Sequence, residues 1–237
     1  MAPRRPSLTQ RFRDDRRGLS AVEFALVLPA LLALMLGGIQ LVTYVNATRK
    51  VELVAHSISQ MISQVPPPPG STIATVNATD LHFSFDSALV LFPYVMKDAA
   101  RQNVLWSNDI TIKYASVAFT QKSTACNDPA DMSACYTANV VWTSTGTSGS
   151  TQRPCGTPLL PADNTAAPNV GTLPRSVYGP GSIIVIDVAF TFKPLFGAKF
   201  FSGSQIARSV YVQPRYATLV NYDTANSDGI ATKCSGY

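Results

Sequence analysis

Residues able to do chemistry are few and scattered in this chain. Its 237 residues include two histidines, His56 and His82, four cysteines, Cys126, Cys135, Cys155 and Cys234, and only two glutamates, Glu23 and Glu52. The histidines do not assemble a ligand set by spacing and no Cys-x-x-Cys pair is present, so no metal is expected. There is no Gly-x-x-x-x-Gly-Lys phosphate loop and no Gly-x-Ser-x-Gly elbow. Gly146-Thr147-Ser148-Gly149 reads as a flexible turn, and Asp128 and Asp131, in a cysteine-bounded loop, read as turn formers. The expectation is a protein with no enzymatic activity and no cofactor. What stands out is Glu23, an acid at the edge of a long apolar run, where an anion without a partner is costly.

That run, Phe24 to Thr48, holds 25 residues without a charge. As a helix it would extend about 37 Å, enough to cross a hydrocarbon core of about 30 Å. A cleavable secretory signal has an apolar region of roughly 7–15 residues, so the run is too long for one. Six arginines and two aspartates precede it within the first 18 residues, and only Arg49 and Lys50 follow closely. The positive-inside rule then keeps the N-terminus cytoplasmic and sends residues 49–237 outward, as a single-pass inner-membrane protein with a periplasmic domain. All four cysteines fall on that oxidising side. They allow three pairings, of which Cys126–Cys135 with Cys155–Cys234 is favoured.

The formal net charge of +5 is therefore mostly a property of the leader, and beyond residue 18 basic and acidic groups nearly balance. Without a basic surplus to neutralise phosphates, nucleic acid is not an expected partner. Charged residues make up 14% of the chain and apolar ones are abundant, which excludes disorder.

The stretch Arg16-Arg17-Gly18-Leu19-Ser20-Ala21-Val22-Glu23-Phe24-Ala25-Leu26-Val27-Leu28-Pro29 resembles the class III signal of type IV prepilins and pseudopilins, and more narrowly the TadE/TadG family of the tight-adherence (Tad) pilus system. The likeness covers residues 16 to about 65. Beyond them it is limited to a strand-rich exported domain and a Pro214-Arg215 pair. It implies that a prepilin peptidase cuts between Gly18 and Leu19, that the new amine is methylated, and that the apolar helix is retained. The chemistry of the residues agrees: a glycine lets the backbone extend into a protease site, and the Leu19 amine of one subunit can meet the Glu23 carboxylate of another where apolar helices pack.

The helix is expected to continue beyond the membrane. Val51, Val54, Ala55, Ile58, Met61, Ile62 and Val65 form one helical face, with Glu52, His56, Ser59, Gln60 and Ser63 opposite. That face reads as a seam against the protein's own domain. Pro29 should kink the helix, and Pro66 to Pro69 with Gly70 should end it in a stiff spacer. A second helix is expected over about 80–100, capped by Asp80 and broken or bent at Pro93, with His82 packed or half-exposed. Strand alternation follows: Ile110, Ile112 and Tyr114; Tyr136, Ala138, Val140 and Trp142 on one face; Ile184 to Phe192 with Asp187 on the opposite side; and Ile206 to Val212. Residues 146–182, rich in Gly and Pro, read as a surface excursion tied down by Cys155.

The fold class that follows is α+β: a long N-terminal transmembrane helix continuing into an exported domain whose antiparallel sheet packs on the helix. The divisions are a leader over 1–18, a transmembrane and amphipathic helix over 19–65, a polyproline spacer over 66–70 and an exported domain over 71–237. The resemblance implies a minor pilin or pseudopilin acting in pilus assembly and adhesion. Its partners would be prepilin peptidase, other pilin subunits, the inner-membrane assembly platform and membrane lipid. The rival reading is a single-pass anchored binding protein or adhesin that does not polymerise.

Overall fold

A computed structural model describes residues 19–122, 128, 130–145, 151–196 and 203–237, with α1 side chains described from Val22 onward. The first helix, α1, runs Leu19–Ser63, and its 45 residues make it about 68 Å long. It continues through Pro29 and through Gly37-Gly38. A turn follows, closed by the Ser71 N–H on the Pro68 carbonyl at 3.0 Å. Pro69 and Gly70 occupy its centre, and the Gly70 φ of 82° is one that a side chain would disfavour.

Strand β1 (Ile73–Val76) leads into α2 (Ala78–Leu91), α3 (Tyr94–Gln102) and the single turn α4 (Trp106–Asp109). The α2 cap is Asn77, not Asp80. Asn77 Oδ1 accepts from the Asp80 N–H and Asp80 Oδ2 accepts from the Asn77 N–H, each at 3.0 Å. Asp80 is thus the third-position partner of a capping box, and the helix starts one turn earlier than the aspartate alone implied. Pro93 separates α2 from α3, as its missing donor requires.

Strands β2 (Ile110–Gln121), β3 (Tyr136–Ser144), β4 (Leu160–Ala162), β5 (Thr172–Pro174), β6 (Ser182–Phe192), β7 (Ser204–Val212), β8 (Leu219–Tyr222) and β9 (Ala231–Lys233) complete the chain. Five of them form an antiparallel sheet in the order β7-β6-β2-β3-β9. The small pairs β1–β8 and β4–β5 are parallel.

The larger core lies between one face of this sheet and the helices. Val51, Val54, Ala55 and Ile58 of α1 share it with Ile112, Tyr114, Ile186 and Phe190. Two details of the expected seam differ. Met61 is 38% exposed, whereas Ser59 and Ser63 are fully buried. Both serines return their hydroxyls to the helix, Ser59 to the His56 carbonyl at 2.7 Å and Ser63 to that of Gln60 at 3.2 Å. With its donor satisfied locally, a small serine packs where the hydropathy pattern alone would forbid it. Arg215 closes the helix end: its N–H donates to the Ser63 carbonyl at 2.8 Å. That supplies one of the partners a helix C-terminus lacks.

The second face is also covered. Ala115, Val117, Ala138, Val140, Ile183 and Val185 pack with Leu159, Leu173 and Tyr178. The described part of 146–182 is therefore a layer of the fold and not a surface excursion. Its Gly and Pro content conceals those three large anchors, and β6 carries the matching signal in its unbroken apolar run Ile183-Ile184-Val185-Ile186. The expected single face of Tyr136, Ala138, Val140 and Trp142 is likewise corrected. A bulge pairs Ser116 with Trp142 and Val117 with Val140, leaving Val141 as the extra residue. Trp142 is shifted to the helix-side core while Tyr136, Ala138 and Val140 stay on the other face. Its indole N–H donates to the Val220 carbonyl at 2.9 Å.

Cys155 and Cys234 are joined with their Cα atoms 5.3 Å apart, tying the second layer to the C-terminus. Cys135 is disulfide-bonded, and Cys126 lies outside the described residues.

Candidate functional site

The two halves of α1 have opposite surroundings. From Ala47 to Ile62 one side is buried, with Val51, Val54, Ala55 and Ile58 at 0% exposure. Between Val22 and Val45 large apolar side chains face outward, Leu26 at 74% and Leu34 at 73%. A soluble protein has no reason to leave such a column uncovered. The first half is long and apolar enough to serve as a single membrane anchor, and Glu23 marks its start while Arg49 and Lys50 mark its end. Thr43 and Thr48 donate their hydroxyls to the Ile39 and Tyr44 carbonyls at 2.8 and 3.0 Å, so neither carries a free donor on this segment.

Of the residues singled out in the sequence, Gly18 and the arginine-rich leader lie outside the described residues. Leu19 opens α1. Glu23 is exposed on the same helix, about 6 Å further along its axis. Within one chain the two are thus on a common rigid element, and contact between them across chains would require a second helix alongside.

Titratable groups in the domain that follows α1 serve to join segments. Of the two settings expected for His82 the half-exposed one is found: its side chain is 54% exposed and points off α2 to Asp228 in the turn before β9. The His82 hydrogen bond, with the Ile230 N–H at 3.0 Å, holds the Asp228 carboxyl below its usual range. Asp98 is buried and bound by Arg101 and Gln102. Gln102 also donates to Asp109 at 3.1 Å. Burial, followed by the nearby Asp98 charge, pushes Asp109 up to about 7. The same two causes push Tyr94 up to about 12.

Arg153, 2% exposed, forks onto Asp187 with both distances 3.1 Å and donates to the Thr172 carbonyl at 2.9 Å, fixing the second layer to β6. Asp128 accepts from the Ala130 N–H at 2.8 Å, while Asp131 caps the turn Met132–Ala134 and pairs with Arg175 at 2.9 Å. Among the described residues no group of three or more His, Cys, Asp or Glu is placed to hold a metal ion.

Sequence reasoning missed Gln40, Arg101 and Arg153. Gln40 did carry a signal, as a long polar side chain inside an uncharged run. Arg101 carried only a local one, Asp98 three residues before it on the same helix, while its bonds to Lys193 and Pro194, like those of Arg153 to Asp187, join segments distant in sequence.

The free half of α1 and its junction with the leader are also what comparison with known proteins recognises. Residues 18–58 match the model of a family described as TadE-like protein. This segment is TadE-like. No curated protein and no solved structure matches the chain. The TadE-like segment takes in Gly18, Leu19 and Glu23, runs through the whole exposed half of α1, and stops at Ile58 inside the buried seam. Residues 59–237, with the entire sheet, lie outside the match.

Proposed function

We propose that this protein is a prepilin-like component of a Tad-type pilus, a minor pilin or pseudopilin that acts by assembly and not by catalysis. The observation that carries the proposal is a TadE-like segment whose lipid-length half is uncovered while its other half is locked into the domain. The exposed half is free to lie in the inner membrane and then against other pilin helices. The exported domain rides on it and caps, primes or decorates the fibre. Prepilin peptidase, acting on the cytoplasmic side, removes the leader after Gly18 and leaves a cationic amine at Leu19. An anion four residues away gives each subunit a donor and an acceptor for its neighbours, and pairing relieves the cost of placing either ion near hydrocarbon. The size of the domain favours a minor component over the main fibre subunit.

N-terminal sequencing of the mature protein from cells expressing the peptidase tests the processing step. A chain starting at methylated Leu19 supports it. A chain starting at Met1 refutes it and leaves a permanently anchored, unpolymerised binding protein. In Glu23→Ala the subunit should no longer enter the pilus, and wild-type incorporation would remove the charge-pairing role.

A further inference from the structure

The exported domain returns to α1 at one further place. After β6 the chain comes back over Lys193–Phe196 and lies beside Gln40. Any window of about 20 residues, the number needed to cross a bilayer, placed within Phe24 to Thr48 includes residue 40. Gln40 therefore sits at hydrocarbon depth near its exported edge, where an unpaired amide costs several kcal/mol.

Both halves of that amide are occupied. Gln40 Nε2 donates to the Phe196 carbonyl at 2.6 Å, and its Oε1 accepts from the Leu195 N–H at 3.0 Å. Arg101 satisfies the preceding carbonyls, donating to Lys193 at 2.7 Å and Pro194 at 2.8 Å. Four backbone groups of this irregular segment are thus bonded by two side chains, which lowers the cost of placing it in a lipid environment. Its apolar side chains, meanwhile, are left outside: Leu195 is 37% and Phe196 46% exposed. Tyr44 meets Phe192 edge-on at 5.4 Å, and Leu36, Leu41 and Phe196 wall an apolar groove of about 650 Å³ beside them.

We propose that the Lys193–Phe196 arm is a second membrane contact, lying in the leaflet on the exported side with Leu195 and Phe196 among the acyl chains and Lys193 at headgroup level. The occupant of this surface is lipid, because the arm is continuous with the exposed apolar column of α1 and four of its backbone polar groups are already bonded within the protein. Lys193 is exposed and its stem allows the ammonium to reach phosphate. Two attachments, one spanning and one interfacial, fix the tilt of the domain on the membrane. This proposal rests on α1 being a membrane span.

The test uses the full chain in phosphatidylcholine–phosphatidylglycerol vesicles, with or without bromine on the acyl chains as a quencher. Phe196→Trp and Leu34→Trp are compared with the wild-type protein, whose own Trp106 and Trp142 give the baseline. The expected result is a blue shift and loss of added emission for both, Leu34→Trp most with bromines deep in the chain and Phe196→Trp most with bromines near the headgroup. Leu195→Trp repeats the measurement should Phe196→Trp fail to fold. Gln40→Leu combined with Phe196→Trp should lessen the loss. Quenching of Leu34→Trp without quenching at 195 or 196 overturns the arm and leaves the span intact, as does a shift at 196 that requires an added pilin subunit. Quenching at none of these positions overturns the span and the arm together.

Discussion

Replacing Ile58 by alanine tests whether the amphipathic half of α1 belongs to the domain or is held ready for a partner. Ile58 is fully buried in the core that α1 shares with the sheet. The substitution removes three carbons, worth about 0.8 kcal/mol each in transfer alone, or about 2.4 kcal/mol. The cavity left behind adds to this, because a site held between a helix and a sheet collapses only in part, so a total of about 3 kcal/mol is expected. For a domain of this size each kcal/mol lowers the Tm by about 2–4 °C, giving a drop of roughly 6–12 °C. Met61→Ala, on the exposed side of the same turns, is the control and should shift the Tm by no more than about 2 °C. Thermal unfolding of the detergent-solubilised full chain, followed by near-ultraviolet circular dichroism, reads both. Equal shifts for the two variants, or no shift for Ile58→Ala, would refute the buried seam. The apolar face would then be open to other subunits.

Three further outcomes are expected. Asp109 is raised to about 7 against an unfolded value near 3.8, so the folded state holds the extra proton between these values. Its contribution is complete below about pH 4 and is lost as pH rises through 7. Asp109→Asn should therefore gain stability over wild type between pH 5 and pH 8 by on the order of 1 kcal/mol after allowance for solvent screening, read as a pH series of denaturant midpoints. Removing the Cys155–Cys234 link with a pair of serines opens a tie across a sequence separation of 79 and should cost about 4 kcal/mol in urea unfolding, provided the unfolded chain is free of residual structure. Arg153→Ala leaves the Asp187 carboxylate its Ser209 hydroxyl donor but removes its ion-pair partner beneath the second layer and should cost about 3 kcal/mol, whereas Arg153→Met combined with Asp187→Leu should recover most of the loss in the same assay.

The local parts of this molecule were legible because their causes are local. An uncharged run of lipid-crossing length, an arginine-rich leader and Glu23 follow from residue order, and so does the TadE-like character of 18–58. The alternation of Ile110 to Tyr114 and of Ile184 to Phe192 likewise placed two central strands of the sheet. The break at Pro93 needed only a missing donor.

Other features depended on residues far apart in the chain. Nothing near Val141 announces the bulge that turns Trp142 to the opposite face, since a bulge is settled by what the partner strand offers. Segment 151–181 looked like a polar excursion until its three large side chains found the second face of the sheet. Gln40, a polar side chain in an uncharged run, finds its two partners only in the arm after β6. The sequence by itself determined an apolar helix long enough to cross a membrane, with one acid at its head, because hydropathy and charge act residue by residue. Only the tertiary structure decided how much of that helix remains free to do so, because burial depends on which surfaces the rest of the chain brings against it.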